Sequence, residues 1–172
     1  MTTRQVLQRS TDARNAAREL LQTIFAAELL SPSRTLWIVS PWLRDIPVLD
    51  NRNGGCVALD PEFPRGLIRL SRGLRSLLNR GSKIVVATRP DLQSREVVEA
   101  VRYSAAGLNV IHREADQLHA KGIVSDAIAL VGSMNFTHNG IERLTEMLVF
   151  HTDPKRVAEI RLEFDREYGG LS

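Results

Sequence analysis

A single cysteine, Cys56, excludes any internal disulfide, and its setting in NRNGGCVALD reads as an incidental loop position. The chain has no CxxC pair and no HExxH, so the common zinc motifs are missing. No apolar run approaches the ~20 residues that a membrane span needs, and no membrane partner is expected. MTTRQVLQRS at the N-terminus lacks the apolar centre of a signal peptide, which sets the cytoplasm as the expected compartment. Acidic residues are absent from Phe63 to Pro90, although the whole chain carries a net charge of only +3. That acid-free span holds Arg65, Arg69, Arg72, Arg75, Arg80, Lys83 and Arg89.

What is present is ordinary in amount and ordered in pattern. The 172 residues suffice for one domain with a proper core, and no repeat or linker divides them, so a single domain over 1–172 is expected. Residues 11–30 read as a helix, with Ala17, Leu20, Leu21, Ile24 and Phe25 at helical spacing. TLWIVS at 35–40 reads as a strand stopped by Pro41. Residues 42–65, rich in Pro, Gly, Asn and Asp, read as a long loop excursion, and loops of that length are usually functional or disordered.

The spacing predicts a helix over 66–80, with five leucines on one face and the arginines within an arc of roughly 140° opposite. KIVVAT at 83–88 is a buried-type strand, and Asp91 is placed to cap a helix running to about 106. Strands are then expected at 108–112, 119–124, 127–131 and 146–151, and Asp153-Pro154 opens a last helix. The alternation implies an α/β fold, a mixed β-sheet sandwiched by helices.

The chemistry concentrates in HAKGIVSDAIALVGSMN, residues 119–135. With Ser125-Asp126 as a two-residue turn, residue 124 pairs with 127 and 119 with 132. His119 and Lys121, two apart, then share one sheet face. At the open end, Ser133 and Asn135 join them, and a helical turn from Phe136 adds backbone N–H groups. An ammonium, a hydroxyl, an amide and free N–H groups together suit a phosphate. His119 can act as nucleophile or as acid and base, since imidazole ionises near neutrality. Asp126 falls at the far end of the hairpin, roughly 20 Å from His119 at about 3.3 Å per residue, and reads as a turn residue. Glu146, on the next strand, is placed to orient the imidazole as triad carboxylates do. Each element alone is weak; their joint spacing carries the weight.

That spacing resembles the phospholipase D superfamily: H-x-K-x4-D, then G-S-x-N six residues after the Asp, then an acidic residue on the following strand. The resemblance implies a phospholipase D-like single-motif domain. It carries over His119, Lys121, Asp126, Ser133, Asn135 and Glu146 as the catalytic set, with Gly132 at the substrate. One departure is Leu144, where many members carry Asn. The implied reaction is a two-step phosphodiester displacement through a phosphohistidine, with no metal or other cofactor. That mechanism uses two motifs and this chain has one, because His112, His138 and His151 lack the pattern. A homodimer with the motifs facing across its axis is therefore expected.

Substrate class is argued from outside the motif. The acid-free arginine helix, with Arg69 and Arg72, points to nucleic acid, DNA ahead of RNA. Trp42, Arg44 and Arg89 follow strand ends and are candidate substrate contacts, although core or rim packing is the plainer role for Trp42. SPWLRDIPVLDN is also similar to small phospholipase D-like proteins of bacterial DNA-modification and phage-defence clusters, which implies further protein partners. The expected function is a metal-independent nuclease. The alternatives are a lipid phosphodiesterase and a non-catalytic nucleic-acid-binding subunit.

Overall fold

The computed structural model describes residues 3–7, 11–103, 109–142 and 147–170. Chain order begins β1 (Thr3–Leu7), α1 (Thr11–Leu30), β2 (Thr35–Val39), β3 (Pro47–Asp50), β4 (Leu67–Arg69), α2 (Leu70–Asn79) and β5 (Lys83–Thr88). It continues with α3 (Leu92–Arg102), β6 (Val110–Glu114), β7 (Gly122–Val124), β8 (Ala129–Gly132), α4 (His138–Glu142), β9 (Met147–His151) and α5 (Pro154–Tyr168).

The main sheet has seven strands in the order β1-β9-β8-β7-β2-β5-β6, and β3 pairs with β4 in a small separate ribbon. Strands β2, β5 and β6 run parallel, while β7, β8, β9 and β1 continue the sheet antiparallel. This is the expected mixed sheet between helices. Alternation along β2 explains the two layers. Leu36 and Ile38 join a core with Leu21 and Phe25 of α1, Leu74 and Leu77 of α2 and Val98 of α3. Trp37 and Val39 turn to the opposite face, against Val157, Ile160 and Phe164 of α5. The caps form as expected: Asp91 accepts from Ser94 N–H at 2.9 Å and Asp153 from Arg156 N–H at 3.0 Å.

Several sequence expectations are corrected. The helix expected over 66–80 begins only at Leu70, because 67–69 pair with β3. The excursion 42–65 is correspondingly not structureless: it contains β3 and a short 3-10 turn, Gly55–Ala58. Strand β1 is an addition, an edge strand paired along its length with β9. The hairpin register is Gly122↔Val131, Ile123↔Leu130 and Val124↔Ala129, two residues from the expected pairing. Ser125 is the cause. Its N–H bonds the Ile128 carbonyl at 2.9 Å, and its hydroxyl accepts from the amides of 127 and 128, closing a four-residue turn. Helix α3 is described to Arg102, and residues 104–108 lie outside the described residues.

Candidate active site

One row of the sheet sets the site. Val39 pairs with Ala87 on one side and Gly122 on the other, and Gly122 pairs with Val131. Immediately beyond that row lie Arg89, Trp42, Lys121 and Ser133, from four different strand ends. These are the carboxyl ends of parallel β2 and β5, where α/β sheets place ligands. Segment 119–121 precedes β7 instead of forming part of it, so His119 and Lys121 are carried on the segment that leads into the strand.

His119 meets a cation directly. Arg89 Nη2 lies 3.1 Å from its Nε2 and 3.4 Å from its Nδ1. A guanidinium only donates, so the ring nitrogen that receives this bond carries a lone pair. Arg89 is itself held: its Nε donates to the Leu118 carbonyl at 2.9 Å and its amide to the Pro41 carbonyl at 3.0 Å. Its guanidinium carbon also lies 5.3 Å from the centroid of the Trp42 ring. Lys121 Nζ donates to the His119 carbonyl at 2.5 Å, and the Gly132 amide to the Lys121 carbonyl at 3.3 Å. Two cations thus meet His119, Arg89 at its ring and Lys121 at its backbone carbonyl.

Ser133 and Asn135 follow β8. The Ser133 hydroxyl accepts from the Met147 amide at 3.0 Å, which fixes it to β9. Asn135 Oδ1 is buried and accepts no hydrogen bond from the described residues. Glycines make both positions attainable. A side-chain carbon on Gly132 would collide with the Met147 carbonyl oxygen, and one on Gly140 with that of Asn135. The helical turn expected from Phe136 starts at His138 and has only five residues. Its amides are not the open cradle expected: Phe136 N–H bonds Ser40 Oγ at 3.1 Å, Thr137 N–H the Asn135 carbonyl at 2.8 Å and Gly140 N–H the Thr137 hydroxyl at 3.0 Å. Ser40, not singled out in the sequence, donates to the Trp42 carbonyl at 2.7 Å and so ties two site loops together.

Asp126 stands apart from this group. Its Oδ2 accepts from the Arg34 amide at 2.8 Å, and its Oδ1 lies 2.7 Å from Arg161 Nη2. It clamps the α1–β2 turn to α5, at the hairpin tip. Glu146 and Leu144 lie outside the described residues.

Trp42 is 42% exposed, which places it at the rim and not in the core. It lines a cavity of about 570 Å³ shared with Arg44 and Asn135. Arg44 is paired with Asp91 at 2.7 Å. Burial pushes the Asp91 carboxyl up, but hydrogen bonds from Ser94 and the Arg44 charge outweigh it and hold its pKa below the usual carboxylate range. The arginine helix is not the bare basic face expected. Arg69 donates to the Asp45 carbonyl and Arg72 to the Glu62 carbonyl, each at 2.6 Å. Arg80 bonds the carbonyls of Leu29 and Leu59. Asp60 and Glu62 fold back beside Arg72 and Arg75 from outside the acid-free span. Arg69, at the end of β4, lines a groove with Arg44 and His138 that Arg72 of α2 does not reach. Among the described residues, no three His, Cys, Asp or Glu side chains gather as metal ligands do, and no helix is long and apolar enough to cross a membrane.

This geometry coincides with a known family. The family described as cardiolipin synthase, PLD-like domain matches residues 68–168, and the chain belongs to it, within the phospholipase D superfamily. Among solved structures, NucT from Helicobacter pylori superposes with a TM-score of 0.61 at 14% identity, covering 96% of this chain and 94% of that one. Nuc from Salmonella typhimurium, a phospholipase D family member, gives 0.60 at 13%, over 96% and 92%. TrmBL2, an archaeal chromatin protein, gives 0.55 at 12%, over 97% of this chain and 52% of that one. At these identities the likeness is one of fold. No curated protein gives a significant match.

Proposed function

We propose that this protein is a metal-independent phosphodiesterase acting on nucleic acid, DNA ahead of RNA, through a covalent intermediate on His119. The observation that carries the reading is the His119–Arg89 contact, with Lys121, Ser133 and Asn135 at the same end of the sheet. In the first step a ring nitrogen of His119 attacks phosphorus as the bond to the leaving oxygen breaks. A second imidazole, the partner's His119, protonates that oxygen. In the second step the same imidazole takes a proton from water, whose oxygen attacks phosphorus and releases His119. Arg89 and Lys121 balance charge on the phosphate oxygens, with Ser133 and Asn135 as donors. Glu146 is assigned to orient the imidazole, and a C2 homodimer supplies the second motif.

The family's description names a lipid enzyme. The cations at His119 suit the phosphodiester of either class, and the nucleic-acid reading is supported by two fold relatives whose names mark them as nucleases. A second reading, DNA binding without cleavage, has the DNA-binding chromatin protein TrmBL2 in its favour. Labelled single- and double-stranded DNA, RNA and a phosphatidyl lipid, each incubated with the protein in EDTA, separate the cases. Cleavage of nucleic acid alone is expected. Binding without cleavage favours the second reading, and cleavage abolished by chelation overturns the first.

A further inference from the structure

We propose that the cavity beside Trp42 holds an unpaired nucleobase next to the scissile phosphate, making the protein selective for single strands; this rests on the nuclease reading above. Its volume of about 570 Å³ lies within the ~300–1,000 Å³ usual for small-ligand sites. The wall is chemically specific. Trp42 contributes a half-open aromatic surface, and base–aromatic stacking is tolerant of base identity because every base has a π-face. Gln93 and Asn139 contribute amides, each with a donor pair and an acceptor, and Asn135 contributes its side-chain NH2. Asn135 Oδ1 is already desolvated without a partner among the described residues.

The same wall is poorly suited to a phosphate. No lysine is among its described lining residues, its one arginine, Arg44, is paired with Asp91 at 2.7 Å, and His138 is the other ionisable side chain. A neutral, planar, hydrogen-bonding heterocycle is the chemistry that fits. Position sets its relation to the reaction. Trp42 also lies under Arg89, which touches His119, and Asn135 belongs to both the cavity and the motif. A group in the cavity is therefore a near neighbour of a phosphate at His119. Bases in a duplex stay stacked and paired, so an unpaired base enters at far lower cost.

The test compares two fluorescent single strands of equal length and charge, oligothymidylate and its abasic counterpart, by anisotropy. The His119→Ala background keeps both uncleaved. Oligothymidylate should bind about tenfold more tightly than the abasic strand, the scale of one stacked base. Trp42→Ala should bring the two affinities together, and Trp42→Phe should keep most of the preference. Equal binding of the two strands, or a preference that survives Trp42→Ala, overturns the base site while leaving phosphate recognition intact. Failure of both strands to bind overturns the base site and the nucleic-acid reading together.

Discussion

Arg89 Nη2 lies 3.1 Å from His119 Nε2, while Nε of the same guanidinium donates to the Leu118 carbonyl 2.9 Å away. The arginine is thus anchored by one nitrogen and presents another to the imidazole lone pair. On the proposed mechanism Arg89 covers the attacking ring, and the same N–H can move to a phosphate oxygen. Arg89→Ala should therefore change two rates in opposite directions. Phosphodiester cleavage should fall about ten- to a hundredfold in kcat/KM, the range expected for losing one charge-assisted hydrogen bond. Carbethoxylation of His119 by diethyl pyrocarbonate should become faster. Both rates falling together would mean that Arg89 only supports the loop.

Asp126 and Arg161, 2.7 Å apart with side chains 27% and 17% exposed, join the hairpin tip to α5. Removing Asp126 leaves the Arg161 guanidinium without its carboxylate, while removing Arg161 leaves Asp126 only its Arg34 contacts. A double-mutant cycle with Asp126→Ala and Arg161→Ala, read by urea denaturation, should show a coupling of about 1–2 kcal/mol. Additive losses would show that the pair is not a clamp.

Gly132 lies with its backbone against Met147 of β9. Gly132→Ala should cost about 2–4 kcal/mol in urea denaturation, because the new carbon overlaps the Met147 carbonyl oxygen and the strands must part. Activity should fall too, since Ser133 is bonded to Met147 through both amide and hydroxyl. A variant of unchanged stability and activity would contradict the packing described.

Burial holds the His112 imidazole below its ordinary pKa of 6.5, and its Nε2 lies 3.0 Å from the Thr88 hydroxyl. His151 is lowered as well, again first by burial. The unfolded chain then takes up protons near its ordinary histidine pKa while the fold resists them. Stability should fall as pH drops from about 7 to about 5, and rise with pH over the same window. His112→Gln should flatten part of that slope in thermal melts, leaving the share due to His151. Parallel curves for the two proteins would remove His112 from the account.

Legibility in the sequence followed the range of the interactions. Strand β5 and the two aspartate caps depend on neighbours a few residues away, and all three stand as read. The hairpin slipped by two residues because Ser125 closes a wider turn, yet an even slip preserves the faces. Strand β4 looks helical because L-I-R continues the leucine spacing of α2; only its pairing with 47–50, some twenty residues away, reveals it. TRQVL in β1 has no alternation to mark an edge strand whose partner lies at the other end of the chain. The neighbours of the arginine face were hidden for the same reason. Its carbonyl and carboxylate neighbours come from residues 29, 45, 59, 60 and 62, none of them inside the acid-free span.

The most direct measurement traps the intermediate. The protein is mixed with a single-stranded oligonucleotide in EDTA, quenched at alkaline pH within the first turnover, and digested for mass spectrometry. A phosphoramidate-linked nucleotide on the peptide containing His119, absent from His119→Ala, is the predicted result. Cleavage without any adduct on His119, or no cleavage until a divalent metal is added, would contradict the account.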